Sequence, residues 1–382
     1  MTARLYLDWN ATAPLRPEAR AAMAAAQDGN PSSIHAEGRA ARKLVEEARA
    51  SVAALVGADP RDVVFTSGGT EANMLALSPA LGTRLFVSAV EHPSVISGGR
   101  FAPDQVEQVQ VNAQGQLDLD ALRRRIAGVA RPLVSVMLAN NETGVVQPIA
   151  QAAAIVHEAG GLLHVDAVQA AGKIVLDINA LGADLLTITA HKIGGPKGIG
   201  ALIRRNDTIP FDPLVRGGGQ ERGFRGGTEN VPGIAGFGSA AQAARAALGS
   251  EQTRLAALRD RLEAGLVAAS ANTVIFGAGV DRLPNTTLFA VPGAKAETAV
   301  IALDLDGVAV SSGAACSSGK VAASHVLVAM GVAPDLARGE VRVSLGRDTT
   351  ESDVERFIQA WNKVLQSLRK AQQKFVAQGV AA

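Results

Sequence analysis

Cysteine is all but absent from this chain: of 382 residues only Cys316 carries a thiol. That excludes an intrachain disulfide and any thiolate metal cluster built from this chain alone. A charge excess is missing too, since 37 Lys and Arg stand against 36 Asp and Glu, for a formal charge of +1. Nucleic-acid and membrane-surface proteins usually show a basic surplus, so neither partner is expected. No apolar run approaches the roughly 18 to 20 residues that a membrane span needs. Residues 1–8 lack the basic-then-apolar layout of a secretion signal. No repeat at a fixed period and no low-complexity linker divides the chain. What is present is apolar, 47% hydrophobic against 19% charged, which supports a buried core and argues against disorder. At roughly 150 residues per domain the length predicts two or three domains. These features predict a soluble, globular, cytoplasmic protein.

From about residue 63 to 203, short apolar runs alternate with helical patterns. The runs are 63–66, 85–87, 133–138, 162–165, 185–188 and 199–203, each short and continuously apolar, as in strands buried on both faces of a mostly parallel sheet. Helical patterns at 117–126 and 149–158 lie between them, the second opened by Pro148. This alternation predicts an α/β unit with right-handed crossovers. After Gly227 the texture changes. Two Ala-rich helical stretches, 231–248 and 252–269, precede weaker strands at 274–276, 286–290, 308–310 and 341–345 and an amphipathic helix over 351–375. That is an α+β texture and predicts a second domain. The first dozen residues are too few to fold alone and are expected to dock on one of the two.

Open α/β sheets bind ligands beyond the carboxyl ends of their strands, so the residues after each run carry the chemistry. In order they are Ser67-Gly68-Gly69-Thr70-Glu71-Ala72-Asn73, Glu91-His92-Pro93, Asn140-Asn141-Glu142-Thr143-Gly144, Asp166 with Gln169, and Thr189-Ala190-His191-Lys192. Singly, each has a plainer reading. A Gly-Gly turn reverses the chain, a strand-end Asp caps the next helix, and a lone Lys sits on the surface. On successive strands they converge on one site. Lys192 follows an apolar strand and is hemmed in by glycines, and a desolvated lysine is an amine nucleophile suited to a Schiff base. Asp166 suits a protonated pyridine nitrogen and would make the ring an electron sink. Backbone N–H groups at the Gly68-Gly69 turn, with Thr70, Thr189 and His191, suit a phosphate. His92 suits a ring face and Gln169 a ring hydroxyl. Phosphate, ring nitrogen, hydroxyl and aldehyde together describe pyridoxal 5′-phosphate.

These stretches are joined in sequence by Leu7-Asp8-Trp9-Asn10-Ala11-Thr12-Ala13-Pro14, Asn30-Pro31-Ser32-Ser33-Ile34-His35, residues 140–149, 191–200 and 216–228, Ser311 to Ser317, and Arg342-Val343-Ser344-Leu345-Gly346-Arg347. In this order, over nearly the whole chain, they resemble the cysteine desulfurases of the NifS/IscS type, in the class V aminotransferase family. The resemblance implies a fold-type I, pyridoxal-phosphate-dependent transferase. It would have a large α/β domain over 13–252 with a mostly parallel seven-stranded sheet, and a smaller α+β domain of 1–12 and 253–382 carrying Arg342 and the Cys316 loop. It implies a homodimer that converts L-cysteine to L-alanine, holds the sulfur as a persulfide on Cys316 and passes it to a sulfur acceptor or iron–sulfur scaffold protein.

Residue by residue, the resemblance implies Lys192 as the Schiff-base lysine and shuttle for the α proton, Asp166 at the pyridine nitrogen, His92 on the ring and Gln169 at the ring oxygen. Gly69, Thr70, Thr189 and His191 would bind the phosphate, Asn141 would lie beside cofactor and substrate, and Arg342 would clamp the substrate carboxylate. Thr228 would reach the phosphate of the neighbouring subunit's cofactor. Cys316, in a loop of small residues, would attack the substrate sulfur, and its persulfide is the one metal role implied, as a transient iron–sulfur cluster ligand. A tail ending at Ala382 leans the resemblance to the NifS side. Two other readings stand beside it. A selenocysteine lyase, or another enzyme of the class V aminotransferase family, would use Lys192 without Cys316, and a non-catalytic sulfur carrier would use only the thiol. Arg123-Arg124-Arg125 reads as a solvated helix face, and His35 and His157 lack metal-ligand spacing.

Overall fold

The computed structural model describes residues 4–26, 28–312 and 324–377. The chain opens with β1 (Leu5–Tyr6) and α1 (Pro17–Ala25), whose Pro17 occupies a position where a missing N–H costs nothing. In α2 (Ala36–Leu55), Ala41, Val45, Ala48 and Val52 are spaced by three and four residues and buried, which gives the helix one apolar face. Then come β2 (Val63–Thr66), α3 (Gly69–Ala76), β3 (Arg84–Ser88), α4 (Pro93–Ile96), β4 (Val106–Val109), α5 (Leu119–Ile126), β5 (Pro132–Met137) and α6 (Ile149–Glu158). β6 (Leu162–Asp166), α7 (Ile178–Leu181), β7 (Leu185–Thr189) and β8 (Gly200–Arg204) complete this part.

Strands β2 to β8 form one seven-stranded sheet in the order β2-β8-β7-β6-β5-β3-β4. All neighbours pair in parallel except β8, which is antiparallel to β2 and β7. Apart from the edge strand β4, the strands are apolar on both sides because both sides are covered. Phe86, Val134, Val136 and Leu186 enter one cluster with Val45 of α2 and Val156 of α6. Their neighbours Leu85, Val87, Leu133 and Leu185 enter another with Leu75 of α3.

α8 (Val231–Ala269) is one helix of 39 residues, where the sequence pattern predicts two. Its first half buries Ile234, Phe237 and Ala241 against the sheet, and its second half buries Leu255, Leu258, Leu262 and Leu266 in a separate core. Gly249 between them costs about 1 kcal/mol relative to alanine, too little to break a helix anchored at both ends. The second core is built on β9 (Val274–Ile275), β10 (Thr286–Ala290), α9 (Ala296–Leu305), β11 (Val308–Ala309), α10 (His325–Ala329), α11 (Pro334–Ala337), β12 (Val341–Ser344) and α12 (Glu351–Ala377). β12, β10 and β9 form an antiparallel sheet. Trp361 of α12 is fully buried against it and meets Phe289 edge-on, with 4.9 Å between ring centroids.

The N-terminal segment docks on both units rather than one. β1 pairs in parallel with β11, and the Asn10 N–H donates to Ser344 Oγ at 2.9 Å. A turn closed by Ala11 N–H on Asp8 C=O then redirects the chain. Beyond it, Ala13 N–H reaches His191 C=O at 2.9 Å and Arg16 N–H reaches Gly194 C=O at 2.8 Å. One short segment thereby bridges the two cores.

Candidate active site

The carboxyl ends of β2, β3, β5, β6 and β7 open onto a cavity of about 300 Å³. Gly69, Thr70, His92, Asn141, Asp166, Gln169, Thr189, His191, Lys192 and Arg342 all line it. Thr228 does not: it lines an adjoining cavity with Ser67, Gly198 and Arg225. Cys316 lies outside the described residues.

Asp166, the last residue of β6, accepts from Asn73 Nδ2 at 2.9 Å and from the Val168 N–H at 3.0 Å. Asn73 stands four residues into α3 from Gly69, on the face turned to the strand ends, and also donates to Ser94 Oγ at 3.0 Å. Ser94 in turn bonds His92 Nδ1 at 2.8 Å, and the Ser94 N–H donates to the same nitrogen. Nδ1 is therefore the accepting nitrogen, and Nε2 carries the proton of the neutral ring. Burial lowers the His92 pKa, with Asp166 opposing and Lys192 and His325 adding to the effect. The carboxylate, the amide and the imidazole thus form one chain of hydrogen bonds.

Lys192 closes a single 3₁₀ turn after β7. Its Nζ donates to the Asn10 carbonyl and, at 2.9 Å, to the Ala11 carbonyl. The turn before α3 leaves the first N–H groups of the helix without intrahelical acceptors. β8 runs so close beneath this turn that a Cβ on Gly200 would lie 2.6 Å from the Gly68 carbonyl carbon. His191 stands on the same side, 3.3 Å from Thr12 Oγ1. Burial, then the charges of Lys192 and Lys197, push it down to about 4, so it is neutral near pH 7.

Across the cavity, Arg342 of β12 donates from one terminal nitrogen to Asp8 Oδ1 at 2.7 Å and from the other to the Asn141 carbonyl at 3.0 Å. Its Nε has no partner among the described residues, nor does Asn73 Oδ1. Asn10 knits this side together, donating to Thr286 Oγ1 at 2.9 Å and to the Asn141 carbonyl at 3.2 Å. Asn10, Asn73 and Ser94 are site residues that the sequence reading does not single out. Asn73 was within reach, through its i+4 spacing from Gly69 on a predicted helix.

The plainer readings hold elsewhere. Arg123 pairs with Glu158 at 2.7 Å on an exposed surface, His35 caps α2 and His157 bonds Asp184 at 2.8 Å. Among the described residues no three His, Cys, Asp or Glu side chains are grouped to hold a metal. His164, behind Asp166, is bonded at both ring nitrogens, to Ser135 and Thr187.

Residues 5–357 match the aminotransferase class-V family. The chain belongs to that family. It is 43% identical over 379 residues to the cysteine desulfurase of Cereibacter sphaeroides, covering 96% of this chain and 97% of that one. Among solved structures it is similar to a NifS-like protein from Rickettsia africae (TM-score 0.87, 38% identity, 95% of this chain and 99% of that one). It is also similar to SspA in complex with cysteine (TM-score 0.76, 29% identity, 89% and 98%). The architecture is that of the fold-type I enzymes, with a mostly parallel central sheet.

Proposed function

We propose that this chain is a pyridoxal-phosphate-dependent cysteine desulfurase, converting L-cysteine to L-alanine and leaving the sulfur as a persulfide on Cys316 for delivery to an acceptor protein in iron–sulfur cluster assembly. The observation that carries the reading is the single cavity in which Asp166, His92, Gln169, Lys192 and Arg342 meet beside the α3 turn, in a chain whose relatives bear that name. The cavity suits the cofactor. Its volume is at the small end of ligand pockets, about 300–1,000 Å³, and the buried Asn73 Oδ1 and Arg342 Nε still lack partners among the described residues.

Asp166 would hold the ring nitrogen, Gln169 the ring oxygen and His92 the ring face, with Gly69, Thr70, Thr189 and His191 at the phosphate. Bound there, pyridoxal phosphate supplies an aldehyde for the substrate amine and a protonated ring that withdraws electrons. Arg342 binds the substrate carboxylate, a task for which its planar fork is better shaped than a lysine, and Asn141 lies beside it. Lys192 takes the proton from the substrate Cα and returns one when the product forms. The Cys316 thiolate attacks the substrate sulfur: the S–S bond forms, the Cβ–S bond breaks, and the carbon left behind is protonated to give alanine. Thr228, whose cavity adjoins the phosphate side of its own chain, would complete the site of the neighbouring subunit in a homodimer, as the resemblance implies. The same proposal divides the chain at 252 and 253, inside α8, and joins 1–12 to the second unit. It places the enzyme in the cytoplasm, where a lone reactive thiol stays reduced.

The test is alanine and sulfide release from L-cysteine with a thiol reductant. The wild type is expected to yield both products, and Lys192→Ala and Cys316→Ala neither. Alanine formation that survives loss of Cys316 would move the chain to the lyase or aminotransferase reading.

A further inference from the structure

Next to Gln169, outside the lining of the site cavity and in a neighbouring one, stands a lysine that the mechanism above does not use. Lys173 Nζ lies 2.9 Å from Gln169 Oε1 and 2.9 Å from Asn10 Oδ1. The other half of the Gln169 amide is fixed as well, since Nε2 donates to the Asn10 carbonyl at 3.0 Å. A flipped amide would set Oε1 against that carbonyl, acceptor on acceptor, and Nε2 against the lysine, donor on donor. Asn10 Oδ1 also accepts from Asn285 Nδ2 at 3.1 Å, so the asparagine cannot turn to satisfy a flipped partner.

We infer that Lys173 is a positioning residue: by occupying Gln169 Oε1 and Asn10 Oδ1 it makes the Gln169 side chain present an N–H, and never a carbonyl, to the cavity. The group that Gln169 meets must then be an acceptor, which on the proposed function above is the ring oxygen in its anionic form. Desolvation first, then the charges of Lys192 and Arg342, hold Lys173 well below the usual lysine range. Either protonation state of Lys173 serves, because an amine and an ammonium both have N–H groups for two acceptors. The lysine acts through geometry four residues along the chain and does not touch the reacting atoms.

The test uses the full-length enzyme loaded with pyridoxal phosphate. Its visible absorption is followed against pH, and its cofactor retention is measured by dialysis. In K173M the pH midpoint of the visible band is expected to rise by about one unit, tenfold in proton affinity, because a ring oxygen without its N–H partner holds a proton more tightly. K173R, which keeps the donors, is expected to stay near the wild type. On a Q169A background K173M is expected to add no shift, since the lysine acts through that amide. A K173M midpoint equal to that of the wild type would overturn the inference. So would an equal shift on both backgrounds, which would mean that Lys173 acts by charge alone. Should K173M fail to fold, K173Q carries the test: a shift smaller than that of Q169A supports the inference, and one as large overturns it. A wild type that retains no cofactor would instead sink the proposed function, so the two failures are distinguishable.

Discussion

The two sides of the cavity are built in different ways. Asp166, Asn73, Thr189 and the α3 turn sit on strand ends and a helix start of one sheet, whose two faces are both packed. Their positions follow from secondary structure within that one unit. Arg342, Asp8, Asn10 and Asn141 meet only where β12, the N-terminal segment and the loop after β5 come together. That side is a seam. On the proposed function, the cofactor would bind on the sheet side and the small substrate would be recognised on the side that docking of two cores assembles. A defect on the first side should abolish chemistry, and a defect on the second should mostly weaken binding.

The largest expected effect is on the sheet side. Asp166→Ala removes the carboxylate from the ring position, and kcat is expected to fall by at least about 10²–10³-fold at saturating cofactor. A fall of less than tenfold would remove Asp166 from the proposed role. Arg342→Lys attacks the seam. Loss of a charged, planar hydrogen-bonding fork is worth about 1.5–3 kcal/mol, so KM for L-cysteine should rise roughly 10- to 100-fold with kcat within a few-fold. Steady-state kinetics decide this, and an equal loss in kcat would erase the contrast between the two sides.

A smaller effect belongs to Glu142, which joins the loop after β5 to Ser324 at the cap of α10. Burial pushes its carboxyl from 4.5 up to about 7, against the Ser324 hydrogen bond and the Arg342 charge. The folded chain therefore holds this proton where the unfolded chain has released it. The stability it contributes is full below about pH 4.5 and is lost as the pH rises through about 7. Between about pH 5 and about pH 8 the wild type should lose stability relative to Glu142→Gln, on the order of 2–3 kcal/mol. Urea midpoints of both proteins across that range check it, and a constant difference would show that the carboxyl is not protonated in the fold.

The sheet side was also the legible side. Continuous apolar runs marked the strands because both faces are buried, and polar residues directly after them had nowhere to point but the edge where ligands bind. The resemblance added Arg342 and Thr228, which no local pattern places. β4 escaped because Val106-Glu107-Gln108-Val109 is a half-exposed edge strand without an apolar run. Gly249-Ser250, between the two Ala-rich stretches, looks like a break, and only packing at both ends shows that α8 runs through it. The roles of Asn10 and Lys173 are hidden for another reason. Asn10 acts through partners more than 100 positions away, such as Asn141 and Thr286, and Lys173 matters only once the orientation of Gln169 is known. Contacts across a seam leave no periodicity in sequence.

The most direct test of the account is the intact mass of the full-length enzyme, loaded with pyridoxal phosphate and given L-cysteine without a reductant. The account predicts the gain of one sulfur atom, mapped to the peptide containing Cys316 and absent from Lys192→Ala. Alanine production by an enzyme whose Cys316 peptide never gains sulfur would contradict it.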